Sequence, residues 1–391
     1  MKITSPEIFR IETSEIILDD LRNRLKQSRI IDGLHAPASS LGIPADRLTQ
    51  IVQHWISFDW RKAEAAINVV PAFQIEIDGI RIHYLHVRGE GRNSVPLVLT
   101  NGWPSCFLEL MPLIPLLTRE VDGVSFDVVI PSLPGYGFSE RPAVPGLNIT
   151  RIAGLWAALM KGLGYTRFLA HGSDMGAGVV ERLRANHGDH VLGIHMVNVN
   201  WFYPRPEDIT PTEEAYLQSA RQWQMQEGAY AMLHASKPLT IAAALQDSPV
   251  GLAAWITEKL DAWSDSAEHF GGDGISLDAI CALLTIYWAT GTIGSSMHLY
   301  HEAFSDAGVM SPPPKRGAPV AVAVFPKDIL PAPRSWGERW YEVTRWTEMP
   351  SGGHFPGFER PDLLAGDLRA FAKEIGLGGA DHARHDRQGA R

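Results

Sequence analysis

The sequence predicts an α/β fold: a mostly parallel sheet flanked by helices and interrupted by a helical insertion. Three observations predict it. Between residues 95 and 200, short apolar runs end in glycine or proline and alternate with helical stretches, the rhythm of parallel strands joined by crossover helices. From 200 to 315 the strand signals stop and helical spacing takes over. From 320 onward strand and helix return.

Residues 1–90 read as an N-terminal meander. Over 14–28, Ile16, Ile17, Leu21 and Leu25 fall at helical spacing behind Ser14 as a cap. A second helix is expected over 44–55. Alternation over 73–87 predicts strands turning at Asp78-Gly79. The first part of the core, 91–200, carries strands over 95–100, 126–130, 167–170 and 191–198, and helices over 151–163 and 177–186. The helical cap insertion takes 201–315. The second part of the core, 316–377, has strands over 320–325 and 342–346 and a helix over 362–375. The segment 378–391 lacks apolar anchors and is expected to be flexible.

Composition narrows the function. The chain has 391 residues, 45% hydrophobic and 20% charged, enough for a large core and unlike a disordered chain. A formal net charge of −9 argues against a nucleic-acid partner. Cys106 and Cys281 are too few for a disulfide framework. The opening MKITSPEIFRIET has neither the apolar run of a signal peptide nor that of a membrane helix. A cytoplasmic protein is the expectation.

Four short segments carry chemistry. In Phe168-Leu-Ala-His-Gly-Ser-Asp174-Met-Gly176 a strand ends, a polar residue stands between glycines, and a helix begins. That is the pattern of a nucleophile elbow, with Asp174 at the tip and Ser173 one place too early. The alternative is a glycine-rich turn in which Asp174 caps the helix. Phe325-Pro-Lys-Asp328 ends a strand on a carboxylate, and Ser351-Gly-Gly-His354 places a histidine between strand and helix. Each alone reads as ordinary loop chemistry. Together, Asp174, Asp328 and His354 follow the nucleophile, acid, histidine order of α/β-hydrolases, each just beyond a predicted strand. Asn101-Gly-Trp103-Pro104 lies where the oxyanion loop of such a fold belongs. The backbone N–H groups of Trp103 and Met175 are its candidate donors.

A carboxylate nucleophile needs no base to attack, and it suits a saturated carbon. His354 is then free to activate the water that hydrolyses the resulting ester, with Asp328 orienting it. This chemistry fits epoxides and alkyl halides rather than peptides.

These residues resemble the epoxide hydrolases of the microsomal type, over about residues 8–375. The N-terminal module is matched by Trp55-Ile-Ser-Phe-Asp59-Trp60-Arg61-Lys-Ala-Glu64, Asn68, Pro71, Asp78-Gly79 and His83. The core is matched by Asn101-Gly-Trp-Pro104, Leu133-Pro-Gly-Tyr-Gly-Phe-Ser139, Gly172-Ser-Asp-Met-Gly176, Phe325-Pro-Lys-Asp328 and Gly352-Gly-His-Phe-Pro-Gly-Phe-Glu359. The cap is matched by Asp247-Ser-Pro-Val-Gly-Leu-Ala-Ala-Trp255 and Tyr287-Trp-Ala-Thr-Gly-Thr-Ile-Gly-Ser-Ser296. The resemblance implies an α/β-hydrolase fold, no cofactor, and two cap tyrosines that hydrogen-bond the epoxide oxygen. Neighbouring motifs put these at Tyr230, with Tyr216 as competitor, and Tyr300.

Three departures stand out. Asn101 replaces a usual histidine, and Met175 replaces a frequent tryptophan used by dehalogenases to bind halide. Nothing in the sequence matches the membrane anchor of vertebrate members, so a soluble protein is expected. Asp328 is a shorter equivalent of glutamate. An apolar pocket lined by Trp103, Pro104, Trp288 and Phe355 is expected, with a small epoxide and water as partners; a homodimer is compatible. The competing readings are a haloalkane-type dehalogenase with the same triad, a non-catalytic binding protein on this scaffold, and a metal enzyme. The last has no His-Glu-x-x-His and no cysteine cluster, though pairs such as His83/His86 and His298/His301 exist.

Overall fold

A computed structural model describes residues 1–31, 41–265 and 274–378. The segment 378–391, read above as flexible, lies outside these apart from Gly378. The described residues form an α/β-hydrolase fold around one nine-stranded sheet. In chain order the strands are β1 (Glu7–Phe9), β2 (Ala72–Ile77), β3 (Ile80–Val87), β4 (Val95–Thr100), β5 (Phe126–Pro131), β6 (Phe168–Gly172), β7 (Val191–Met196), β8 (Val320–Val324) and β9 (Val343–Glu348). Their spatial order is β1-β2-β3-β5-β4-β6-β7-β8-β9. The run from β5 to β9 is parallel, while β1, β2 and β3 extend it as an antiparallel ribbon.

Burial explains the strand sequences. Leu97, Val98, Leu99, Val129, Ile130 and Ala170 are fully buried, since helices cover both faces of a parallel sheet. The N-terminal segment supplies α1 (Glu15–Lys26), α2 (Ala45–Ser57) and α3 (Trp60–Ile67). The core adds α4 (Leu113–Thr118), α5 (Ile149–Gly162) and α6 (Met175–Asn186). Ser14 caps α1 through the Ile16 N–H, as its sequence position predicts. The two-turn helix α3 has no counterpart in the expectations, and neither has β1.

Between β7 and β8 the described residues form helices α7 (Pro211–Glu227), α8 (Ala229–Ser236), α9 (Pro238–Asp247), α10 (Pro249–Trp263), α11 (Leu277–Thr290), α12 (Ile293–Phe304) and α13 (Ala307–Met310). These sit over the C-terminal ends of the parallel strands. Core and cap meet where the matched segments 133–139 and 287–296 touch. Tyr136 donates to the Ser296 carbonyl at 3.0 Å, and Ser295 Oγ donates to the Gly135 carbonyl at 2.6 Å. The N-terminal helices brace the cap from outside. Trp55 Nε1 donates to Thr285 Oγ1 at 2.9 Å, and Arg47 makes two 2.9 Å bonds to Asp261. After β8 come α14 (Arg334–Trp340), the short turn α15 (Pro356–Glu359) and α16 (Pro361–Glu374). Among the described residues no single helix is long and apolar enough to cross a membrane.

Candidate active site

The site is assembled at the C-terminal edge of the parallel sheet, where strand ends and helix starts converge. Asp174 joins β6 to α6 at φ 53° and ψ −124°, a conformation uncommon for a residue with a Cβ. Its flanking glycines show why the turn is so tight. A Cβ on Gly172 would lie 2.1 Å from the Gly176 carbonyl oxygen, and one on Gly176 2.1 Å from that of Thr100. The Asp174 N–H donates to Asn198 Oδ1 at 2.9 Å, from the loop after β7. Asn198 therefore holds the elbow's backbone. A lone asparagine beyond a strand carries no sequence signature, and the sequence reading missed it.

The Asp174 carboxylate is held differently on its two oxygens. Oδ1 accepts the Trp103 N–H at 2.9 Å, from the loop after β4. The approach is close because residue 102 is glycine; a Cβ there would sit 2.0 Å from Oδ1. Oδ2 faces His354, with Nε2 at 3.4 Å. On the other side of the ring, Nδ1 lies 2.5 Å from Asp328 Oδ1. Burial of His354 disfavours its charge, but the Asp328 and Asp174 carboxylates outweigh that and raise its pKa to about 10. The buried Asn101 amide turns back onto its own loop, donating to the Gly102 carbonyl at 2.9 Å.

Two phenols close the site from the cap. Tyr230 on α8 and Tyr300 on α12 are buried, and their hydroxyls lie 3.4 Å apart. Burial pushes both well above the ordinary tyrosine value, with the nearby Asp174 charge adding to it. The competitor Tyr216 points elsewhere, toward the Val199 carbonyl and the Trp336 ring.

A cavity of about 210 Å³ joins these groups. Asp174, Met175, Asp328, His354, Tyr230 and Tyr300 line one end. The lining also takes in Ala177, Gly178 and Glu181 of α6, together with Trp201, Phe202, Phe304 and Met310. The expected lining needs correction. Trp288 is not in this wall; its ring lies under the Arg24 guanidinium, 5.7 Å away, toward the N-terminal helices. Its neighbour Tyr287 points inward to the Ser105 carbonyl, and one step along a helix turns the side chain by about 100°. Trp103, Pro104 and Phe355 are buried behind the wall rather than in it. The Trp103 ring stacks on Tyr230 at 5.2 Å and meets Tyr300 edge-on at 6.0 Å. Phe355 packs on His354 at 5.1 Å. The walls instead come from Trp201, Phe202 and Trp223, which the sequence reading did not single out. Among the described residues no three His, Cys, Asp or Glu side chains converge as a metal site requires.

Known epoxide hydrolases resemble this chain over most of its length. Residues 6–110 match the family described as epoxide hydrolase N terminus, and residues 95–273 match the alpha/beta hydrolase fold family. Epoxide hydrolase 1 of Sus scrofa is 34% identical over 403 residues, covering 93% of this chain and 87% of that protein. The structure of Aspergillus niger epoxide hydrolase superposes with a TM-score of 0.83 at 30% identity, covering 95% of this chain and 97% of that one. Juvenile hormone epoxide hydrolase from the silkworm Bombyx mori gives a TM-score of 0.83 at 26% identity, covering 95% and 94%.

Proposed function

This chain belongs to the epoxide hydrolase family, and on that premise we propose that it converts a small-molecule epoxide and water into a vicinal diol through an ester on Asp174. Asp174 Oδ2 attacks a ring carbon. The ring C–O bond breaks, and its electron pair stays on the ring oxygen. That oxygen takes a proton from the Tyr230–Tyr300 pair, whose burial keeps the phenols protonated and able to donate.

Esterification removes the Asp174 charge that helped to hold a proton on His354. The imidazolium proton then replaces the one lost by the phenol, and neutral His354 becomes the base. It takes a proton from water as the water oxygen attacks Asp174 Cγ. Charge builds on Oδ1, beside the Trp103 N–H, with the Met175 N–H as second donor. The bond from Cγ to Oδ2 breaks, Oδ2 leaves in the diol with the remaining proton of that water, and the water oxygen stays in the carboxylate. No cofactor enters the balance.

The observation that carries this reading is the division of one carboxylate: Oδ1 on a backbone N–H, Oδ2 toward a histidine paired with a second carboxylate. The phenol pair favours an epoxide over an alkyl halide, because a halide leaves without a proton. Intact-protein mass spectrometry tests it. His354→Gln incubated with aryl and alkyl epoxides is expected to gain the mass of the epoxide, and Asp174→Asn is expected to gain nothing. Adducts with alkyl halides only, showing loss of halide, would move the assignment to a dehalogenase.

A further inference from the structure

Four consecutive backbone N–H groups surround the histidine of the site, and none of them is satisfied by the sheet. Gly352 N–H donates to Asp265 Oδ2 at 2.8 Å. Gly353 N–H donates to Glu359 Oε2 at 3.0 Å. His354 N–H donates to the Trp263 carbonyl at 2.8 Å. Phe355 N–H donates to Glu359 Oε1 at 2.9 Å. The Glu359 carboxylate also accepts the Asp265 N–H at 2.6 Å, on the oxygen that receives Gly353. Trp263 is the last residue of α10, and Asp265 follows two residues later, so both belong to the end of a cap helix.

The fit is tight on both sides. A Cβ on Gly353 would lie 2.5 Å from the Trp263 carbonyl oxygen and 2.8 Å from Asp265 N. The Trp263 ring meets the imidazole edge-on at 5.3 Å and stacks on Phe355 at 6.3 Å. The histidine loop is thus gripped between a carboxylate on its own short turn and the end of α10. Asp328 fixes the imidazole's rotation, but the height of its backbone over Asp174 is fixed by this brace.

We propose that Glu359 and Asp265 are positioning residues that set His354 for ester hydrolysis, making the end of cap helix α10 part of the base's support. The inference rests on the Asp174 ester mechanism and adds to it a role for two residues that touch neither substrate nor the reacting atoms. Loosening the brace displaces His354 relative to the ester while leaving Asp174, its elbow and the two phenols in place. A displacement of about 1 Å can cost two orders of magnitude in rate. A few tenths of an ångström are therefore expected to cost about tenfold, in hydrolysis alone.

The test is single-turnover kinetics on the full chain with styrene oxide, following ester formation and ester decay by quenched-flow mass spectrometry. Asp265→Ala and Glu359→Gln are expected to slow ester decay about tenfold while ester formation changes by less than about threefold. Asp265→Asn keeps an oxygen to accept the Gly352 N–H and is expected to behave as the parent. Hydrogen exchange of peptides spanning 352–355 is expected to quicken in Asp265→Ala and Glu359→Gln, and not in Asp265→Asn.

Equal loss of both steps would overturn the proposal, as would parental ester decay despite faster exchange, or an Asp265→Asn variant as slow as Asp265→Ala. Absence of any ester in both the parent and His354→Gln would count against the Asp174 mechanism alone. The brace would then stand or fall on exchange together with kcat of Asp265→Ala against Asp265→Asn.

Discussion

His354 gives up and regains a proton in the proposed cycle, and its surroundings say when. Between two carboxylates its folded-state pKa is about 10, above the ordinary 6.5. A raised value means that the ion cluster's contribution to stability is complete below pH 6.5 and is lost as pH climbs through 10. Unfolding free energy measured in urea is therefore expected to fall between those limits, and to fall less steeply in Asp174→Asn, which removes one of the two charges. Identical slopes in the two proteins would show that Asp174 does not hold that proton. At this scale the sequence was legible where a residue carries a local signature. Asp174 stands between obligatory glycines, and Asp328 and His354 follow strand ends in the expected order. It was illegible where direction decides. Trp288 and Tyr287 are neighbours on one helix that face different partners, and Asn198 and Glu359 act through backbone N–H groups that leave no trace in spacing.

Among the elements, the elbow makes the sharpest demand. It requires β4, β6 and α6 to approach backbone to backbone, and the two glycines permit it. Gly176→Ala is expected to lose at least about 3 kcal/mol of unfolding free energy, because the clash is with a main-chain oxygen that has nowhere to go. Gly188→Ala is the control: a Cβ there meets nothing within 4 Å, and its change is expected to stay within about 1 kcal/mol. Denaturant melts of both variants check this. The strands and helices of the core were readable because their apolar runs and glycine stops are strong and regular. The helix α3 was not, because its inward face includes Glu64. That carboxylate is buried, accepting from the Thr13 N–H, Trp60 Nε1 and Arg61. A charge on the inner stripe hides the period that would have announced the helix.

Across the molecule, the N-terminal segment ties cap to core. Asn68 pairs with both backbone groups of Ile11 at 2.9 Å, closing the segment on itself. From that base α1 and α2 reach the cap, through Arg24 to Asp247, Arg47 to Asp261 and Trp55 to Thr285. A chain starting at residue 71 is expected to yield no soluble monomer, because the apolar faces of α10 and α11 that α2 covers would be open to water. Soluble yield and near-ultraviolet circular dichroism measure the outcome, and a well-folded truncated chain would contradict it. Sequence periodicity announced α1 and α2 but said nothing of what they would cover, since an apolar stripe records only that it has a partner.

The bond from Trp55 to Thr285 joins residues 230 positions apart. At ribosomal rates of about 5–20 residues per second, roughly 10–50 s separate the synthesis of one partner from that of the other. During that interval α2 has left the ribosome with Leu48, Ile51, Val52 and Trp55 on one side and no cap to receive them. The first helices made are among the last to be seated. The nascent chain therefore passes through a period of exposed stickiness whose length is set by the position of the cap in the gene, and a holding chaperone has its clearest opportunity there.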